Sequence, residues 1–298
     1  MRGDLPCAGC GYNLRGLSVR AVCPECGTPV RATILATVDP YAAALRPVYV
    51  PWLTAAGILV WSGAGLAAAL LTWFLRANDA AATLAGTALF AHPQHLDLVV
   101  SLATWCVFAS AIGALALVRP HSGIPFWQSL VAFGGAGALA AAASLYSNLH
   151  GGFDLSHIKP YFSPEGMHPE RIRMRLTMAA LLCIAIFGLR PNARLLAARS
   201  LLLRMGMVDR QTMLAMAASI GLGALGDLIH LCGTALPDGV SRIASSLGDF
   251  MIAVGAMLFT LGLAGVFLDT LRIAPVLVRP PLAIARVLGT VSGAGTGR

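Results

Sequence analysis

Two Cys-x-x-Cys-Gly knuckles open the chain: Cys7-Ala8-Gly9-Cys10-Gly11 and Cys23-Pro24-Glu25-Cys26-Gly27, with twelve residues between Cys10 and Cys23. Two sulfurs on one tight turn facing two on another supply a tetrahedron of thiolates, the closed donor set of structural Zn²⁺. Each trailing glycine suits a turn that needs positive φ, and the twelve intervening residues are expected to form a short hairpin. Rubredoxin-like iron uses similar ligands, and two disulfides would suit a secreted mini-domain. A redox Cys-x-x-Cys usually accompanies a βαβ pattern, which is missing here. Zinc held by Cys7, Cys10, Cys23 and Cys26 is the expected assignment. All four positions go to sulfur, so no open site is left for catalysis. The first 31 residues carry Arg2, Arg15, Arg20 and Arg31 against Asp4 and Glu25, a net of +2. A four-thiolate zinc centre carries about −2, which cancels that charge. With Tyr12 as the one aromatic in the segment, neither a phosphate-binding patch nor a stacking platform is present, and nucleic acid is not expected as a partner.

A second group of chemistry-bearing residues is scattered. His92, His95, His150, His157, His168 and His230, with Asp97, Asp154 and Asp227 near them in sequence, could form a metal or proton-relay site. Asp227 and His230, three residues apart, are expected to share a helix face. Against such a site stand the absence of any His-Glu-x-x-His motif and the pair Gly151-Gly152, expected to interrupt a helix linking His150 to His157. Gly221-x-Gly223-x-x-Gly226 matches a dinucleotide fingerprint literally but follows no strand, so it is read as helix packing. Cys106, Cys183 and Cys232 read as small apolar core residues. No residue is assigned a catalytic or cofactor-binding role.

The run Cys7-x-x-Cys10-Gly11-Tyr12-Asn13-Leu14-Arg15-Gly16-Leu17, closing with Cys23-Pro24-Glu25-Cys26-Gly27, resembles the N-terminal zinc ribbon of many uncharacterised bacterial multi-pass membrane proteins. The resemblance covers residues 7–27. It implies the four zinc ligands already named and carries no activity with it.

The elements that must position these residues follow from composition. The 298-residue chain is 57% hydrophobic and 11% charged, with mean hydropathy +0.75. A soluble domain carries about 25% charged residues, so this chain cannot cover a water-facing surface and calls for a bilayer. Six stretches are long and apolar enough to cross one, near 50–75, 97–118, 126–147, 173–190, 211–236 and 247–270. Unpaired backbone groups are too costly in lipid, so these runs must be helices. Residues 1–30 hold no apolar leader, and no secretory signal is expected.

Orientation follows from basic residues. With the N-terminus in the cytosol, cytosolic segments hold 15 arginines and outer segments 6 basic residues, a bias that places both termini inside. Arg171, Arg173 and Arg175, before the fourth span, run against that rule. In the third span Gly134, Ala138 and Ala142 recur every four residues and are expected to form the packing seam. Tryptophans at 52, 61, 73, 105 and 127 include several placed for interfacial anchoring. The stretch 192–210, apolar with interspersed arginines, reads as an interfacial or helix-extending segment.

The expected protein is therefore an all-α membrane protein, a six-transmembrane helix bundle with a small N-terminal zinc ribbon. The expected divisions are a cytosolic ribbon at 1–31, a linker at 32–49, the membrane domain at 50–272 and a cytosolic tail at 273–298, disordered at its end. The expected location is a bacterial inner membrane. The leading functional expectation is non-enzymatic: a docking, scaffolding or sensing role in which the ribbon meets a cytosolic protein and the bundle meets the lipid bilayer. The alternative is a transporter or membrane enzyme using an outward-facing His/Asp cluster.

Overall fold

In the computed structural model, residues 1–39, 41–42, 45–84, 93–156, 168–200, 212–233 and 237–289 are described. The first helix, α1 (Val30–Thr37), leads into a two-residue strand, β1 (Val38–Asp39). Then come α2 (Pro51–Leu84), α3 (Pro93–Ala114) and α4 (Phe126–Tyr146). A π-helical turn, Ser147–Phe153, extends α4 into the short α5 (Asp154–Ser156). The remaining elements are α6 (Pro169–Ala197), α7 (Thr212–Gly233), α8 (Asp238–Val278), β2 (Leu282–Ala283) and α9 (Ile284–Leu288).

Six of these helical stretches are long and apolar enough to cross a membrane: Pro51–Ala81, His95–Leu117, Phe126–Ser156, Pro169–Ala197, Thr212–Gly233 and Gly239–Val278. Their outer faces carry exposed Leu70, Ile112, Phe133, Phe187, Leu225 and Leu261. Such a continuous apolar surface suits acyl chains and not water. The architecture is an all-α, six-helix membrane bundle with a four-cysteine unit at its N-terminus. Each spanning helix packs on the next in sequence, and α8 returns to α2, so the six close into a ring. The helices outrun the apolar windows that sequence marks. At 41 residues, α8 is about 62 Å long, against about 30 Å of hydrocarbon.

Close backbone approach sets the ring. Gly135 of α4 faces Gly188 of α6, where an added Cβ would meet the Val131 carbonyl oxygen at 2.8 Å. The expected seam on Gly134 is corrected by this geometry: Gly134 has nothing near its Cβ direction, while Ala138 and Ala142 are buried. In an alanine-rich helix small residues recur on several faces, and only the partner's glycine decides which face closes. Between α7 and α8, Gly226 lies against the Gly248 carbonyl and Gly223 against Gly255, so the glycine fingerprint is a helix-packing device; Gly221 faces open space. Of the tryptophans, Trp52 and Trp127 sit at span ends and are exposed, whereas Trp105 lies mid-helix, 70% exposed on the lipid face. The helix-extending part of 192–210 is seen as the last turns of α6, where Asn192 donates to the carbonyls of Leu117 and Val118; residues 201–210 lie outside the described residues.

The N-terminal unit and residues 282–288 meet on one face of the bundle, consistent with an even number of crossings between them. β1 pairs in parallel with β2, Val38 with Leu282 and Asp39 with Ala283. The amides of Arg2 and Gly3 donate to the Val287 carbonyl at 3.2 and 3.0 Å. Val287, 0% exposed, completes a core formed by Leu5, Leu14, Val30, Val38 and two of the cysteines. The segment 282–288, assigned from sequence to the tail, is therefore part of the ribbon unit; residues 290–298 lie outside the described residues.

Candidate functional site

The four-cysteine unit is built from two copies of one local structure, sixteen residues apart. In each, the trailing glycine amide donates to the first cysteine's carbonyl: Gly11 to Cys7 and Gly27 to Cys23, both at 2.9 Å. Both glycines hold positive φ, 77° and 72°, the region that side chains resist. Each knuckle is closed by its own small antiparallel bridge, Pro6 with Asn13 and Val22 with Pro29. This replaces the hairpin expected between the knuckles: hydrogen bonds within each loop satisfy the backbone, and residues 14–21 serve as turns.

The four sulfurs converge. Cys7 Sγ lies 3.5 Å from Cys26 Sγ, Cys10 Sγ lies 3.6 Å from Cys23 Sγ, and all four fall within 4.8 Å of one another. A tetrahedral Zn–S bond of about 2.3 Å requires sulfurs about 3.8 Å apart, so the spacing fits a single ion. Cys7 and Cys23 are buried, Cys10 and Cys26 exposed. The Gly9 amide, hydrogen-bonded to its sulfur, lowers the Cys7 thiol to about 6. At Cys10 the Tyr12 amide lowers the thiol, but hydrogen bonds to the Cys26 and Cys23 thiols, together with burial, outweigh it and push it up to about 12. The sulfurs share protons, and four thiolates in so small a space call for a cation. Among the described residues no other group of His, Cys, Asp and Glu donors converges closely enough to hold a metal.

A second polar centre lies at the opposite end of the bundle. The π-helical turn is made where the chain reads Ser-Asn-Leu-His-Gly-Gly-Phe, and it brings His150 and Asp154 to the ring's interior. The expected interruption at Gly151-Gly152 is corrected: the glycines widen the helix instead of ending it. Inserted residues of this kind are frequent at functional sites. Asp154 accepts from Arg171 Nε at 2.7 Å, Arg171 NH2 at 3.2 Å and Arg76 NH2 at 2.9 Å. Arg76 also donates to Asp79 at 3.0 Å. His150 Nδ1 is 2.8 Å from both Arg76 and Asp154. That nitrogen can accept from Arg76 or, when protonated, donate to Asp154, but not both. Its ring packs on Tyr146, whose hydroxyl meets Thr72 at 2.9 Å.

One turn deeper, Arg175 lies 3.4 Å from Asp227 Oδ1, an oxygen with no hydrogen-bond partner on a side chain that is buried within the ring. Asp227 and His230 share a face of α7 as expected, about 60° apart, but they take different partners. Asp227 reaches the interior, while His230 turns toward Gly248 and bonds Asp249 at 3.0 Å. Of the other histidines proposed from sequence, His95 is exposed at the start of α3 and His168 is exposed beside Phe153. Neither joins His150. His92 and His157 lie outside the described residues.

Arg76, His150, Arg171, Arg175 and Asp227 line one end of a partly open cavity of about 350 Å³ at the centre of the helical ring. Below them the lining is apolar, from Trp73 and Ala179 down to Leu189, Met213 and Val266. Reading for histidines alone misses the arginines, although the sequence carries a signal for them: Arg171 and Arg175 are two of the residues that break the positive-inside bias. No protein-family model, curated protein or solved structure matches this chain.

Proposed function

We propose that this chain is an integral protein of a bacterial inner membrane whose ribbon holds one structural Zn²⁺ in the cytosol and serves as a docking or sensing head for a cytosolic protein. The observation that carries this reading is the closed four-sulfur site fastened to the membrane face by the chain's own C-terminal segment. A site with every position taken by sulfur performs no metal-centred reaction, so the ion acts by holding a shape. That shape presents exposed Tyr12, Val19 and Val22. The test is affinity capture from membranes with wild type and with Cys23→Ser, scored alongside zinc content. Loss of zinc together with loss of specific partners supports docking. Identical partner sets remove it and leave a structural cap.

A second reading, a carrier or membrane enzyme acting from the opposite face, is favoured by the cluster around Asp154 at the mouth of the central cavity. Asp154→Asn would abolish such an activity while zinc content stays near one ion per chain.

A further inference from the structure

We infer that the central cavity binds a single-chain amphiphile whose head carries both a phosphate and a primary ammonium, as in a lysophospholipid with a phosphoethanolamine head. The inference deepens the second reading only by naming a ligand, and it stands whether or not anything is transported.

Shape comes first. The apolar lining runs along α6 from Arg175 to Leu189 and along α7 from Asp227 to Met213. Each stretch is fourteen residues, or about 21 Å of helix axis. The space is thus long and narrow, with charge confined to one end. Its volume, about 350 Å³, lies at the small end of the range for ligand pockets, about 300–1,000 Å³, which admits one chain and not two.

Charge selects the head. Among the described residues, Arg76, Arg171 and Arg175 are matched by Asp79, Asp154 and Asp227, so the charges described at the ionic end balance. A ligand with net charge would leave an uncompensated ion away from water, which is costly. A zwitterion keeps the balance. Guanidinium groups match phosphate oxygens with parallel N–H donors, and Arg175 reaches the cavity from α6. The second half of the head is set by Asp227. Its Oδ1 faces the Arg175 guanidinium at 3.4 Å but accepts no hydrogen bond, although Asp227 is 4% exposed and lines the cavity. A buried carboxylate oxygen that accepts no hydrogen bond is expensive, and an ammonium N–H supplies one at the distance from phosphate that a two-carbon spacer sets.

The experiment uses the full-length, zinc-loaded protein in detergent and in nanodiscs. The probes are a lysophosphatidylethanolamine, a lysophosphatidylcholine and a fatty acid, all of one chain length. Wild type should bind the ethanolamine lipid saturably and about tenfold more tightly than the choline lipid, which has no N–H to give. Asp227→Asn should erase that preference. Ala179→Trp, which fills the apolar slot, should weaken all three by about tenfold or more while leaving zinc content and melting temperature near wild type. Equal wild-type affinity for the two lysolipids overturns the head assignment. Unchanged binding in Ala179→Trp overturns the cavity as the site. If Asp227→Asn fails to fold, the wild-type preference and Ala179→Trp decide alone. Binding without movement of the lipid across proteoliposomes removes the carrier reading and leaves this one. Movement of a solute without lipid binding does the reverse.

Discussion

Asp154 is the residue on which the ionic end of the bundle turns. It joins α2 and α6 through Arg76 and Arg171 and stands within reach of His150. Replacing it with alanine removes the carboxylate that Arg171 and Arg76 share. Removing one member of a buried ionic network costs about 3–5 kcal/mol, so thermal unfolding of Asp154→Ala should show a large drop. Asp79→Ala removes one partner of Arg76 from a more exposed position and should cost clearly less. At the other end, Cys23→Ser should reduce zinc from about one ion per chain to near none, as measured by metal analysis, because three sulfurs leave the tetrahedron open. The two centres were unequally legible. The knuckles could be read because their ligands recur at fixed local spacing. The Asp154 partners lie 78 and 17 residues away, and no local pattern connects them. What sequence did offer was three arginines, Arg171, Arg173 and Arg175, that run against the expected bias of basic residues. Two of them are ion-paired, Arg171 with Asp154 and Arg175 with Asp227.

For the elements, hydropathy locates spans well because the hydrocarbon core imposes a length, but it is blind to which face of a helix meets which neighbour. The α4–α6 contact illustrates the difference. Both Gly134 and Gly135 lie in a run of small residues, and only the second meets a glycine across the seam. Gly135→Leu should destabilise the bundle by about 1–3 kcal/mol or more, since the obstacle on the far side is backbone. Gly134→Leu, pointing to lipid, should be close to neutral. Paired melting curves in one detergent decide the point, and equal losses would show that this face of α4 is misassigned. The π turn at Ser147–Phe153 was illegible for a related reason. Consecutive glycines usually end a soluble helix, yet within a bundle packing can retain them, and the widened turn then aims His150 and Asp154 inward.

Across the described molecule, the N-terminal unit and residues 282–288 are held together on the face opposite the ionic cluster, through β1 with β2, through Arg2 and Gly3 with Val287, and through loop contacts nearby. One of those contacts is pH-sensitive. His121 is buried, accepts from the Gly123 amide and pairs through its backbone with Val48. Burial, with Arg199 and Arg46 beside it, lowers its pKa below the ordinary 6.5. The folded state therefore favours neutral imidazole, and the unfolded chain binds the extra proton. Stability from this contact is intact above about pH 6.5 and declines as pH falls below it. Protection factors at residues 46–49 and 119–124, corrected for the pH dependence of intrinsic amide exchange, should fall between pH 7 and pH 5.5, and His121→Gln should flatten that dependence. The larger consequence concerns the ribbon itself. About thirty residues cannot bury enough apolar surface to fold alone, and here the missing side of the core is supplied by Val287 from the far end of the chain. Metal and C-terminal segment should then stabilise the same folded unit and be linked. Val287→Asp places a charge in that core without replacing a ligand. Zinc should be lost to a chelator at least tenfold faster than from wild type, and protease should cleave between residues 30 and 50 more readily. Leu288→Asp, on an exposed neighbouring position, should do neither. Equal zinc release from Val287→Asp and wild type would mean that the ribbon folds without its clasp.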